Sequence, residues 1–259
     1  MRRDVRGREI GYSDEGRGGA LVLLHPFPFS RDVWSGLLPS LSASRRVIAV
    51  DARGFGESAL APYALTDLAD DLAALLDALD VKRAAVLGMS MGGYTALAFA
   101  ARHAARLSAL VLADTRAAAD TPEARAKRDE ALAAIRDRGA EAYLDGSLGK
   151  MLSPGAAAPL QARVRAAAVP RAEALAAALG ALRDRPDRTA ELPAIACPTL
   201  VLCGAEDQVT PAAEMRGMSG AIPGARYVEL AGAGHLAHLE APEPFAKAVN
   251  GFLAEAVAS

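Results

Sequence analysis

The sequence predicts an α/β fold built on a mostly parallel, doubly wound sheet with an inserted helical segment. Three observations predict it: short apolar runs without polar alternation, amphipathic stretches between them, and one long interval with no strand signal. A chain of 259 residues that is 52% hydrophobic and 23% charged has ample apolar surface for one large core, which excludes low-complexity disorder. Its 29 basic and 31 acidic residues nearly cancel. No basic run dominates, so nucleic acid is not an expected partner.

The elements follow in chain order. A weak strand signal near Arg8–Ser13 precedes the continuous apolar runs Ala20–Leu24, Val47–Val50, Ala84–Leu87, Leu110–Ala113 and Thr199–Leu202. Such runs suit strands covered on both faces, as in a parallel sheet. Between the second and third runs, Leu65, Leu68, Leu72, Leu75, Leu76 and Leu79 fall on one helical stripe, with Thr66 as the expected N-cap. A second weak strand is expected at Arg226–Leu230. Strand alternating with helix is the signature of a doubly wound sheet.

From about Thr115 to Glu191 the rhythm breaks into Ala-, Arg- and Glu-rich helical pieces. Thr121-Pro122 opens the first as N-cap and first-turn proline, and Gly139, Gly155, Pro170 and Pro186 punctuate the rest. Long excursions in compact α/β domains usually cover sites. The expected organisation is therefore a core in two parts, residues 1–114 and 192–259, with residues 115–191 as a helical lid. The Arg-rich faces of that lid read as solvated surface rather than as a site for anionic substrates.

No apolar stretch reaches the 18 or so residues of a membrane span, and Met1–Gly7 is charged with no apolar core of a signal peptide. A cytoplasmic protein with no membrane association is the expectation. Cys197 and Cys203 lie six residues apart on one extended segment, hence ~20 Å apart. They are expected to be free, since a disulfide requires Cα atoms within about 7 Å.

The chemistry concentrates at three strand ends. Gly88-Met89-Ser90-Met91-Gly92 lies between an apolar strand and the helical stretch Tyr94–His103. This G-x-S-x-G, in strand–turn–helix context, has the pattern of a nucleophile elbow. The glycines remove side chains that would collide across the sharp turn and leave the Ser90 hydroxyl exposed. A serine hydroxyl needs a base oriented by an acid. Asp207 follows the strand ending at Leu202, and His235, in Gly234-His235-Leu236, follows the strand ending near Leu230. Asp114, directly after Leu110–Ala113, is the competing acid, but it leads into the expected lid and has a turn-capping alternative through Thr115-Arg116. Gly204 and Pro211 bracket a short loop around Asp207, which favours that residue.

Four motifs resemble those of the α/β-hydrolase fold superfamily, over essentially the whole chain. They are His25-Pro26-Phe27-Pro28, Asp51-Ala52-Arg53-Gly54-Phe55-Gly56-Glu57-Ser58, the elbow, and Gly234-His235 followed by Glu240 and Pro242. The first, with Trp34 beyond it, resembles the arylesterase, perhydrolase and enol-lactonase type. The order Ser90, Asp207, His235 is that of the superfamily. The resemblance implies hydrolysis of a small to medium carboxylic ester or lactone through an acyl-enzyme on Ser90, with no cofactor and no metal. It also implies an oxyanion hole. Relatives carry glycine where this chain has Pro26, which has no N–H to give. The Phe27 N–H is therefore the expected donor on this loop, with the Met91 N–H as the second.

The same residues suit a perhydrolase, an acyltransferase or a lyase, and a small-molecule receptor on this scaffold is a further alternative. Several residues carry plainer expectations. Asp51 and Arg53 are expected to brace a turn behind the elbow, His25 to bond within its own loop, and Phe99 and Phe252 to be core. His103 sits at a helix C-terminus, where it suits the dipole. His235 and His238 form H-x-x-H with no third ligand evident, so no metal is expected there. Oligomeric state has no sequence signal.

Overall fold

The computed structural model describes residues 1–258, and side chains through 256. Its centre is an eight-stranded sheet: β1 Arg2–Val5, β2 Arg8–Glu15, β3 Ala20–Leu24, β4 Arg46–Val50, β5 Ala84–Met89, β6 Leu107–Ala113, β7 Thr199–Gly204 and β8 Arg226–Leu230. The order across the sheet is β1-β2-β4-β3-β5-β6-β7-β8. β1–β2 and β2–β4 pair antiparallel, and every later pair is parallel. All seven expected strands are present. β1 had no sequence signal, because three of its four residues are exposed and it contains no apolar run.

The helices are α1 Leu38–Ser42, α2 Leu65–Ala78, α3 Met91–Arg102, α4 Pro122–Ser147, α5 Ala158–Ala167, α6 Ala172–Arg183, α7 Ala212–Ala221, α8 Ala237–Glu240 and α9 Pro242–Ala258. The leucine stripe of α2 is buried at 65, 68, 72, 75 and 76: Leu72, Leu75 and Leu76 join the apolar cluster of Val22, Ile48 and Val86, while Leu65 and Leu68 join that of Leu23 and Leu87. Its N-cap is Ala64, not Thr66: Ala64 is extended and its N–H donates to Asp67 Oδ2 at 2.9 Å. The Asp67 carboxylate supplies the acceptor that starts the helix two residues earlier than expected. Phe99 and Phe252 are core, as expected.

Between β6 and β7 the chain makes a helical excursion comprising α4, α5 and α6. Thr121 Oγ1 accepts the Ala124 N–H at 3.2 Å and caps α4, and Gly139, at φ +86°, interrupts that helix. Ile135, Leu144, Val164 and Leu175 of the excursion join the same apolar cluster as Leu23, Leu87 and Val111 of the sheet. The excursion thus docks on the sheet through packing, while Arg125, Arg165 and Arg183 form ion pairs on its outer surface.

Arg53 and Asp71 form a buried bidentate pair, Nε to Oδ2 at 2.6 Å and Nη2 to Oδ1 at 2.9 Å. It ties the turn after β4 to α2. Asp71→Ala would leave a desolvated guanidinium with the Pro62 carbonyl as its remaining short contact. The expected cost is about 3–5 kcal/mol, measurable by urea unfolding, and Arg53→Met with Asp71→Leu is expected to recover most of it.

Cys197 and Cys203 are both free. Among the described residues, no helix is long and apolar enough to cross a membrane.

Candidate active site

The strand order brings the chemistry to one edge. From β3 the chain winds outward to β4, then returns through α2 to β5 on the other side of β3. The loops after β3 and β5 therefore diverge at neighbouring strand ends, the crevice where open α/β sheets bind ligands. Leu24 is in register with Gly88, so the His25–Phe29 loop stands beside the Ser90 turn.

Ser90 has φ 51° and ψ −114°, a strained conformation for a residue with a side chain. Its surroundings hold it there. The Ser90 N–H donates to Ala113 O at 3.0 Å, and its carbonyl accepts from Thr115 Oγ1 at 2.9 Å and from the Tyr94 N–H at 3.1 Å. The flanking glycines are steric necessities: a Cβ on Gly92 would stand 2.1 Å from Leu24 O, and one on Gly88 would stand 2.3 Å from Gly92 O.

His235 lies 1% exposed in the loop between β8 and α8. Its Nε2 is 2.8 Å from Ser90 Oγ, and its Nδ1 is 2.8 Å from Asp207 Oδ2. These partners set the tautomer, with Nδ1–H donating to the carboxylate and Nε2 accepting from the hydroxyl. Asp207 sits in the β7–α7 loop. Its Oδ1 accepts the N–H groups of Val209 and Thr210 at 2.7 and 2.9 Å, and Oδ2 also accepts from the Thr210 hydroxyl. Burial works against the Asp207 charge, but hydrogen bonds from His235 and Thr210 outweigh it and hold the carboxyl below its usual range.

Asp114 is fully buried next to this constellation and makes no hydrogen bond to His235. It has φ 43°, and its Oδ1 accepts the Gly204 N–H at 2.8 Å. It thus pins β7 to β6 instead of capping the Thr115-Arg116 turn. Burial, reinforced by the Asp207 charge, pushes its carboxyl well above the usual range. The two carboxyls are therefore shifted in opposite directions, Asp114 upward by burial and Asp207 downward by its hydrogen-bond donors.

Of the two expected oxyanion donors, Phe27 lies in the loop after β3 and Met91 opens α3 directly after Ser90. Among the described residues neither N–H has a protein acceptor. His25 braces this loop, its Nδ1 donating to Pro26 O at 2.9 Å and its Nε2 accepting the Ala52 N–H at 2.9 Å. Burial lowers the His25 pKa, in keeping with a neutral ring that donates once and accepts once. Asp51 accepts the Arg31 and Glu57 N–H groups at 2.7 and 2.9 Å, and also pairs with the Arg31 guanidinium. Asp51 and Arg53 therefore brace the turn behind the elbow, as expected. His103 bonds Asp70 at 2.8 Å. His238 packs its ring on Trp34, with centroids 4.8 Å apart, and burial pushes its pKa down to about 3.

Sequence reasoning missed three contributors. Thr115 fixes the elbow carbonyl, and Thr210 feeds both oxygens of Asp207; the Asp-x-x-Thr spacing is a local turn signal that pointed to the latter. Tyr143 of α4 faces Phe27, ring centroids 6.5 Å apart, across a distance in sequence that no local pattern spans.

A family model described as the alpha/beta hydrolase fold matches residues 19–242. An esterase from Thermogutta terrifontis superposes with a TM-score of 0.94 at 34% identity, covering 99% of both chains. An enol-lactonase from Burkholderia xenovorans superposes with a TM-score of 0.90 at 32% identity, covering 98% of this chain and 100% of the other. A pimeloyl-[acyl-carrier protein] methyl ester esterase from Aeromonas hydrophila is 30% identical, over 92% of this chain and 96% of its own length. A strained serine at the switch point, a sheet of this order and a family match from residue 19 to residue 242 agree: the chain belongs to the α/β-hydrolase fold family.

Proposed function

We propose that the protein is a serine hydrolase that cleaves a small to medium carboxylic ester or lactone through an acyl-enzyme on Ser90. The observation that carries this reading is the continuous chain Ser90 Oγ–His235–Asp207, with both links at 2.8 Å. Ser90 Oγ attacks the carbonyl carbon while its proton passes to His235 Nε2. The carbonyl oxygen, now an anion, turns to the Phe27 and Met91 N–H groups, an interaction worth several kcal/mol of barrier. Collapse expels the alkoxide, which takes the proton from Nε2 and leaves as an alcohol; in a lactone it stays tethered to the acyl group. Water then gives a proton to Nε2 and attacks the acyl carbon. Ser90 leaves with that proton, and the carboxylic acid is released. Asp207 remains ionised throughout and stabilises the transient imidazolium.

Residues 115–191 act in this reading as the lid. Their inner face is apolar and continuous with Phe27 and Met91, which suits an uncharged acyl group. Ser90 is only 8% exposed, and shielding of the acyl-enzyme from water favours a second reading, transfer to another acceptor such as an alcohol or hydrogen peroxide.

The test is a panel of p-nitrophenyl esters, lactones and amides, each with and without added alcohol or hydrogen peroxide. Turnover of esters and lactones to free acid is expected. Predominant alkyl ester or peracid product would move the assignment to the second reading, and binding without turnover would refute both.

A further inference from the structure

One carboxylate outside the proposed triad bridges the loop of the base to the lid. Glu240, at the end of α8, accepts the Gly234 N–H on Oε1 at 2.8 Å and the Ser153 N–H on Oε2 at 2.9 Å. On the other side of His235, the Leu236 N–H donates to Met151 O at 3.0 Å. The residues before and after His235 are thus both fastened to the segment 151–153, in the middle of the excursion between β6 and β7. The surfaces meet without clearance: a Cβ on Gly234 would stand 2.4 Å from the Ser153 nitrogen and 2.6 Å from the Leu152 carbonyl carbon. His235 sits between these fastenings with its ring bonded to Ser90 and Asp207.

We propose that Glu240 is a positioning residue that locks the lid segment 151–153 to the His235 loop, so that lid placement and base placement form one mechanical unit. This rests on the reading of His235 as the base for Ser90. Both oxygens of Glu240 accept backbone N–H groups, a charge-assisted arrangement that fixes two chains at once. A lid motion that displaces Ser153 pulls on Gly234 and lengthens the His235–Ser90 bond. Closure of the lid at this point therefore completes the site. An ordinary structural carboxylate would affect folding stability; this one sets the alignment of a proton acceptor, and a misplacement of about 1 Å there can cost up to about 10²-fold in rate.

The experiment compares wild type, Glu240→Gln and Glu240→Ala in the full chain, with Ser90→Ala and His235→Ala as references. Three quantities are read: the rate at which a fluorophosphonate labels Ser90, kcat and KM on a p-nitrophenyl ester, and amide hydrogen exchange at Gly234 and Ser153. Labelling needs the base but no fitted acyl pocket. The expected result is a fall of about 10- to 100-fold in both labelling rate and kcat for Glu240→Ala, with KM changed by no more than roughly twofold. Glu240→Gln, which keeps one carbonyl acceptor, is expected to fall between it and wild type. The Gly234 and Ser153 amides should lose protection together, while those of β5 and β7 keep theirs. Labelling and kcat at wild-type levels despite loss of both amide protections would overturn the proposal. So would a rate loss that merely follows a global loss of protection. If Glu240→Ala does not fold, the near-isosteric Glu240→Gln carries the same comparison. If Ser90→Ala and His235→Ala also behave as wild type, the triad reading itself has failed, an outcome distinct from failure of the clamp alone.

Discussion

Ser90→Ala is expected to abolish turnover of esters and lactones, lowering kcat by about 10⁶-fold, while the fold stays intact. The size follows from the role proposed for the hydroxyl. Without Oγ there is no acyl-enzyme, and what survives is the contribution of the oxyanion donors and of binding to direct attack by water. His235→Ala is expected to lose nearly as much, because the remaining hydroxyl has no proton acceptor at 2.8 Å. The two losses should not add in the double variant, since groups acting as one unit fail together. Fluorophosphonate labelling followed by peptide mapping checks the assignment directly. Wild type should label stoichiometrically at Ser90, and His235→Ala should label slower by orders of magnitude. Labelling at another serine, such as Ser58, would sink it. The loss of the hydroxyl is expected to be mild for stability, because the bonds from this position to Ala113, Thr115 and Tyr94 are made by its main chain and survive the substitution.

The sheet was legible in the sequence because its central strands are covered on both faces, so that Leu21–Leu24 and Val86–Leu87 read as unbroken apolar runs. β1 lacked that signature: it is an edge strand whose pairing with β2 is backbone hydrogen bonding, which no side-chain pattern records. The elbow was legible because a strained serine imposes glycine on its neighbours, and glycine is visible as a letter. The brace around it was not. His25 reaching Ala52, Thr115 reaching Ser90 and Glu240 reaching Ser153 are contacts over 25 to 87 residues of chain, set by tertiary packing alone. The exposed Arg-rich faces of α4 to α6 read correctly as solvated surface. Arg185, buried and paired with Asp120 at 2.6 Å, looked no different from them in sequence.

The identity of the triad acid carries the second large effect. Two buried carboxylates stand at adjacent strand ends, and sequence position alone does not separate them. Their environments do. Asp207 receives His235 Nδ1–H together with three further donors from Val209 and Thr210, and is held ionised. Asp114 has one N–H donor, from Gly204, and burial pushes its carboxyl well above the usual range. In the proposed mechanism an anion stabilises the imidazolium that forms when Ser90 gives up its proton, and that reading gives the role to Asp207. Asp207→Asn is expected to lower kcat by about 10⁴-fold with the fold retained, because the amide favours the wrong imidazole tautomer and carries no charge. Asp114→Asn keeps an acceptor for the Gly204 N–H and is expected to retain most of the activity. Its stability should also separate it from wild type in a pH-dependent way. The folded-state pKa of Asp114 is raised, so the folded state holds a proton that the unfolded state releases above about pH 4. Wild type therefore loses stability relative to Asp114→Asn as pH climbs from that point towards the folded-state pKa, and the gap closes at lower pH. Thermal unfolding of both proteins across pH 4 to 9 reads this directly. A constant difference would mean that Asp114 is ionised in the folded protein. If Asp114→Asn proves the more damaging substitution for kcat while both variants remain folded, the acid is Asp114.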